Sequence, residues 1–257
     1  MNKNHDKFRE QDNQEKATDT VYGVHAVTDA LKENLGNKLY IQDDLRGKNV
    51  DQIKQLASDK KVGISFVSKE KLKEMSESGV HQGFVLKTSA YAYKDLSELL
   101  AITAEQDNPL LIILDGLTDP HNLGSILRTA DATGVSGLII PKHRSVGVTP
   151  VVAKTSTGAV NHMPIARVTN LSQTLDKLKD AGFWIFGTDM DGTPHDKWQT
   201  QGKIALIIGA EGAGITQNIK KQVDEMITIS MKGHVQSLNA GVAAGILMYE
   251  WARKFQG

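Results

Sequence analysis

The sequence predicts an α/β protein of two domains, a small one over 21–92 and a larger one over 109–257 built on a parallel sheet. Three observations carry that expectation. Short strand-like runs alternate with amphipathic helical stretches through the first part of the chain. Later the apolar runs become continuous, as in Leu-Leu-Ile-Ile-Leu-Asp at 110–115, the pattern of parallel strands covered on both faces. Several of these later runs end in blocks of glycine, amide and charged residues, at the strand ends where open α/β sheets bind ligands.

Taken in order, residues 1–20 mix charges and amides around one aromatic, Phe8. They cannot bury enough surface to offset ordering entropy and are expected to be a disordered tail, with an RNA-contacting arm as the alternative. Structure is expected to begin near Val21. Residues 24–33 place Ala26, Val27, Ala30 and Leu31 on one helical face. A strand is expected at 38–42, a second amphipathic helix at 49–57, a strand at 62–67, a short helix at 69–75 and a further strand at 83–87. Residues 93–108 form an expected linker with one helical stretch at 96–104, ended by Asn108-Pro109. The larger domain has strand-like runs at 110–115, 137–141, 183–187, 204–208 and 226–230. Helical stretches lie between most of them, including 170–181, and a long helix closes the chain near Phe255.

Composition excludes several chemistries. The 257 residues hold 30 basic and 30 acidic side chains, so an RNA partner would have to meet a local basic patch. The absence of cysteine removes disulfides, thiolate metal sites and a thiol nucleophile. No histidine pair has metal-ligand spacing, and no metal is expected. No apolar run approaches the ~18 residues of a membrane span. The N-terminus is too polar for a secretory signal, and a cytoplasmic protein is the expectation.

Three blocks hold the candidate site. Gly209-Ala-Glu211-Gly-Ala-Gly214 follows an apolar run, and three glycines in six residues let backbone turn tightly and approach a ligand. A phosphate cradle does not fit: the Gly-Lys-Ser/Thr of a P-loop is missing, the glycine spacing reverses the dinucleotide fingerprint, and Glu211 would repel phosphate. A cationic or phosphate-free nucleoside ligand fits better. In Asn122-x-Gly-x-x-x-Arg128, Asn122 is a helix N-cap candidate. Arg128 projects from the second turn, either to grip phosphate or to pair with Asp131. Ser237-Leu-Asn239 opens the last helix, where either polar residue could cap. That helix begins with glycines and alanines, which implies tight internal packing or a dimer interface. Lys142 and Arg144, with Lys154, offer a basic patch for RNA phosphate. His121, His143 and His234 are expected to hydrogen-bond rather than catalyse.

Together these blocks resemble the three signature motifs of the SpoU (TrmH) family of RNA 2′-O-methyltransferases, which occur here in order across 109–257. The N-terminal part, with Tyr22-Gly-x-His25 and His81-Gln-Gly83, is similar to that family's small ribosomal-protein-like substrate-binding domain. The layout looks most like the RlmB-type branch, which methylates a guanosine ribose in 23S ribosomal RNA, with the transfer-RNA branches nearest to it. The resemblance implies a SPOUT domain, an α/β trefoil knot that patterns alone would not propose. It further implies a homodimer and S-adenosylmethionine as cofactor. Carried over by position, it assigns Gly209, Ile229 and Leu238 to the cofactor, largely through backbone groups. Asn122, Arg128, Glu211, Ser237 and Asn239 become the catalytic surround, with Glu211 orienting Arg128 or the substrate. Because guanidinium groups hardly deprotonate, Arg128 is read as a phosphate and alkoxide binder, with a base role left open. Two positions depart from the family pattern: Ser230 stands where proline is frequent, and Gly241 where a bulkier residue is. A non-catalytic RNA-binding or ribosome-assembly protein on the same scaffold is the rival from another class. A nucleotide-dependent oxidoreductase is a second rival, and it lacks its fingerprint.

Overall fold

A computed structural model describes residues 18–76, 79–89, 91–235 and 237–255. The chain divides into two compact units, Met1–Tyr91 and Ala92–Gly257.

The first unit runs β1 (Thr18–Tyr22), α1 (Val24–Lys32), β2 (Gly36–Gln42), α2 (Lys48–Asp59), β3 (Gly63–Val67), α3 (Lys69–Met75) and β4 (Phe84–Ser89). Its sheet has the order β1-β4-β2-β3, with β2 and β3 parallel and the other neighbours antiparallel. The core forms because α1 and α2 turn Val27, Ala30, Leu31, Val50 and Ile53 onto Leu39, Ile41, Phe84 and Leu86. Two expectations need correction. Ala26 is exposed, because the inner face of α1 narrows to Val27, Ala30 and Leu31. Thr18–Tyr22 is a strand although 18–20 were expected in a tail. Its antiparallel partner β4 lies more than 60 residues away in sequence, so no local pattern marks it. The remainder of the expected tail, 1–17, lies outside the described residues.

The segments around Gly23 and Gln82, singled out in the sequence, meet one another. Gly23 N donates to Phe84 O at 3.1 Å, and Val24 N, the first donor of α1, reaches Gln82 Oε1 at 3.0 Å. Gln82 thus satisfies a helix terminus whose N-cap, Gly23, has no side chain to do so.

The second unit contains α4 (Leu96–Ala104), β5 (Leu110–Asp115), α5 (Pro120–Thr133), β6 (Gly137–Pro141), α6 (Pro150–Thr155), β7 (Ile165–Val168), α7 (Leu171–Asp180), β8 (Trp184–Pro194), β9 (Ile204–Gly209), α8 (Gln217–Lys220), β10 (Glu225–Thr228) and α9 (Ala240–Arg253). All six strands are parallel, in the order β10-β8-β9-β5-β6-β7. One face of the sheet packs Leu111, Ile113, Ile139, Ile185 and Ile207 against Leu99 of α4, Leu171, Leu175 and Leu178 of α7, and Ile219 of α8. The stretch expected to link two domains is therefore part of this unit. Leu99 is fully buried, and Lys94 N donates to Ile165 O. The strand β7 was not expected: its four residues include Arg167, which breaks the apolar run, and only pairing with β6 identifies it.

The strand order sets the position of the site. From β5 the chain builds outward through β6 and β7, then returns to the other side, where β8 is laid down first, β9 fills the place between β8 and β5, and β10 closes the edge. The order reverses between β5 and β9, whose last residues, Asp115 and Gly209, are in register. Crevices outside the carboxyl ends of strands at such a reversal are where open α/β sheets take ligands.

Candidate active site

Each of the three blocks begins at the carboxyl end of this sheet or opens a helix beside it. The glycine loop leaves β9 and closes on itself: Ala210 and Gly214 exchange backbone hydrogen bonds of 3.1 and 2.8 Å. Gly209 has no alternative residue, because a Cβ there would sit 2.3 Å from the Gly214 carbonyl carbon. Gly212 and Gly214 take φ of 75° and 67°, and the space beside them is open, so the loop presents bare backbone. The buried Asp115 pins its far end, accepting from Thr216 N at 2.7 Å. Asp115 was legible only as the end of a strand; a carboxylate closing a wholly apolar run before glycine was the available signal.

The centre of the site is one carboxylate oxygen. Glu211 Oε1 accepts from Asn122 Nδ2 at 3.0 Å, Asn239 Nδ2 at 2.6 Å and Ala240 N at 3.2 Å. Asn239 Nδ2 also donates to Asn122 Oδ1 at 2.8 Å. Asn239 caps α9, its Oδ1 accepting from Gly241 N and Val242 N. A carboxylate at a helix N-terminus meets the positive end of the helix dipole, so charge and hydrogen bonding act together here. Residues 89, 117 and 28 positions apart thus form one junction.

Three assignments change. Asp119, not Asn122, caps α5, its side chain accepting from His121 N at 2.9 Å. Asn122 lies inside the first turn, buried, which frees its amide for the junction. Arg128 projects from the third turn of α5, since the helix starts at Pro120. Glu211 is engaged by the two asparagines and not by Arg128. Arg128 is exposed and, among the described residues, has neither hydrogen-bond nor ion-pair partner, Asp131 included. It lies about 9 Å along the helix from Asn122. Helical side chains tilt toward the N-terminus, the end of α5 that carries Asn122, while six residues of helix turn Arg128 about 120° around the axis from it.

The other candidates divide into two groups. Ile229 follows β10 and Leu238 precedes α9, both half-buried, so they border the same end of the sheet as Gly209. Ser237 is exposed. Lys142 and Arg144 occupy the exposed loop after β6, and Lys154 is exposed on α6. That helix packs on α5 so closely that a Cβ at Gly124 would lie 2.5 Å from Thr155 Cβ. His121 Nδ1 lies 3.4 Å from Thr155 Oγ1 across the same contact. Behind the loop after β6, the Arg167 guanidinium rests 5.1 Å from the Tyr93 ring, whose hydroxyl accepts from Val148 N. On β8 the Lys220 ammonium bonds Asp189 and holds its carboxyl below the usual carboxylate range. Among the described residues no group of acidic and histidine side chains could hold a metal ion.

Gly241 has a reason here. A Cβ would already sit 3.2 Å from Ser125 Oγ on α5, so α9 and α5 approach through Gly241, with Gly245 facing Thr129 one turn on. Tight internal packing is one of the two readings that the small residues allowed.

Comparison with known proteins agrees with this geometry. Residues 109–249 match the SpoU rRNA Methylase family. Residues 20–94 match the family described as RNA 2′-O ribose methyltransferase substrate binding. A Staphylococcus aureus (strain COL) protein, named for the TrmH family of tRNA/rRNA methyltransferases, is 46% identical over 237 residues, 91% of this chain and 95% of the relative. In fold the chain is like the SpoU methyltransferase AviRb from Streptomyces viridochromogenes, solved in complex with AdoMet, at TM-score 0.65 and 24% identity over 93% of this chain and 91% of that one. It is also like the TrmH/SpoU tRNA modifying enzyme of A. aeolicus, 28% identical with TM-score 0.53, over 62% of this chain and 81% of that one. The two α/β units, the parallel sheet and the joined motifs are thus those of a SPOUT-fold protein with a substrate-binding domain, and the chain belongs to the SpoU (TrmH) family of RNA methyltransferases.

Proposed function

We propose that this chain transfers a methyl group from S-adenosylmethionine to a ribose 2′-hydroxyl of RNA, on a guanosine of 23S ribosomal RNA, and works as a cytoplasmic homodimer. One observation carries the reading: Asn122, Glu211 and Asn239 hold three distant segments together at the sheet's reversal point, and the helix that bears Asn122 also carries Arg128, which has no partner among the described residues. The loops there suit the cofactor. Gly212 and Gly214 bare their backbone, Ile229 and Leu238 offer half-buried apolar surface to an adenine, and Glu211 favours a cation over a phosphate. S-adenosylmethionine, when bound, supplies an electrophilic methyl on a positively charged sulfur.

What the chain's own residues do is position and stabilise. Gly209, Ile229 and Leu238 hold the cofactor, chiefly through backbone groups. The junction fixes both loops in one geometry, and Ser237, exposed beside it, is free to meet the substrate. Arg128 binds the phosphate next to the target ribose and stabilises the charge that grows on the hydroxyl oxygen as its proton leaves. Lys142, Arg144 and Lys154 add phosphate contacts around the same end of the domain.

The test is Arg128→Ala. Methyl transfer to ribosomal RNA should fall to background while S-adenosylmethionine binding, followed by calorimetry, stays within about twofold, since an interaction made only with substrate leaves the cofactor unaffected. Near-normal turnover would remove Arg128 from the mechanism. Mapping 2′-O-methyl groups in a deletion strain identifies the substrate. Loss of one 23S guanosine methyl supports the reading, whereas loss of a transfer-RNA methyl transfers the protein to that branch.

A further inference from the structure

Methyl transfer to a hydroxyl needs a group that takes its proton. Arg128 keeps its own proton. Glu211 Oε1 is held by three donors, and the buried Asp115 accepts from Thr216 N. The layout of α5 offers another group. Seven residues of helix return to within about 20° of the starting direction, so His121 and Arg128 share one stripe of α5, about 10.5 Å apart along its axis. Both are exposed; of the residues between them Ser125 is exposed, and 122–124, 126 and 127 are buried. Other helices bound the stripe on both flanks. Thr155 of α6 packs on Gly124, and α9 packs through Gly241 on Ser125 and through Gly245 on Thr129. The cap of α9 is Asn239, which belongs to the junction with Asn122 and Glu211. The His121 ring is anchored at one nitrogen only. Its Nδ1 lies 3.4 Å from Thr155 Oγ1, while Nε2 has no hydrogen-bond partner among the described residues.

We infer that His121 is the general base of the methyl transfer, a role beyond the hydrogen bond expected of it. Nδ1–H donates to Thr155 Oγ1, which leaves Nε2 as the acceptor for the hydroxyl of a ribose lying over the stripe. Arg128, whose side chain leans along the same stripe toward the start of the helix, holds the adjoining phosphate. Nε2 takes the hydroxyl proton while the ribose oxygen bonds the methyl carbon. The carbon–sulfur bond breaks, its electron pair stays on sulfur, and a neutral thioether leaves. The imidazolium then passes its proton to water. The charged side chains on the elements around the ring are Asp119 at the cap of α5, Arg128 two turns along, Lys154 beside Thr155 on α6, and Glu211 at the start of α9. The inference rests on the proposed function and names the base that its reaction requires.

The experiment follows single-turnover methyl transfer by the full-length protein to ribosomal and transfer RNA from a deletion strain, across about pH 5 to 8. The parent rate should fall about tenfold per pH unit on the acid side, where the ring is protonated and cannot accept. His121→Asn keeps a donor for Thr155 and has no basic nitrogen. It should be slower by on the order of a hundredfold or more and lose the acid limb. Its binding of S-adenosylmethionine and of RNA should stay within about twofold of the parent. Added imidazole should restore part of the rate of His121→Ala and leave the parent unchanged. Thr155→Val should keep the acid limb at a lower rate. A readout without turnover is the tautomer. In nitrogen NMR of the free protein at alkaline pH, the His121 signal, identified by its loss in His121→Asn, should show the proton on Nδ1. A proton on Nε2 overturns the assignment. So does an acid limb that survives in His121→Asn, or one that disappears in His143→Gln or His234→Gln instead. A parent that methylates RNA with His121→Asn unchanged refutes the base alone, whereas a parent that binds S-adenosylmethionine and methylates no RNA refutes the proposed function and the base with it.

Discussion

At the scale of single residues, the site turns on Glu211. Its Oε1 takes donors from Asn122, Asn239 and the first backbone amide of α9. Glu211→Ala removes the acceptor and leaves two amides and a helix terminus to water. We expect kcat/KM for methyl transfer to fall on the order of a hundredfold, as for misplacements near an ångström. The urea midpoint should fall too. Glu211→Gln keeps an acceptor and loses the charge, so it should lie between the parent and Ala in both measurements. An Ala variant equal to the parent would show that the junction organises nothing. The residues of this junction were visible in the sequence, but their roles were not. Asn122 and Asn239 both read as helix caps, and only Asn239 is one. Capping is a local property that a few neighbours reveal. A hydrogen bond across 117 residues depends on strand order, which no window of sequence contains.

At the scale of elements, α5 and α9 meet through small residues, and their spacing sets how far apart the two asparagine-bearing termini lie. The glycine and alanine run at the start of α9 announced a close neighbour in the sequence, and Ser125 and Thr129 are its partners within the domain. Gly241→Val places branched carbons where Ser125 already leaves only 3.2 Å for a Cβ. Overpacking of this kind costs about 1–3 kcal/mol, which urea unfolding would register as a lower midpoint at unchanged slope. Because α9 would be displaced from α5, the variant should also lose methyl transfer. A parent-like midpoint would mean that the helices separate freely. Strands were legible where they were buried and continuous, as β5 and β6 are. The edge strand β7 and the N-terminal β1 were not, since each is defined by its neighbour rather than by its own residues.

At the scale of the whole molecule, each unit has its own apolar core, one around Leu39 and Phe84 and the other around Ile113 and Leu175. Scanning calorimetry should therefore resolve two unfolding transitions. S-adenosylmethionine at a hundred times its Kd should raise only the transition of the unit Ala92–Gly257, by about 2.7 kcal/mol of stability. A shift of both would place cofactor contacts in the small unit as well. The two-domain division was legible from the change in strand pattern. The assignment of 93–108 was not, because the burial of Leu99 is a tertiary fact. The junction also has a kinetic consequence. Its three segments lie 28, 89 and 117 residues apart, so closing it requires most of the large unit to be in place first. A nascent or partly refolded chain can set Asn122 against Glu211 once β9 is placed, but the junction that Asn239 closes is complete only with the last helix.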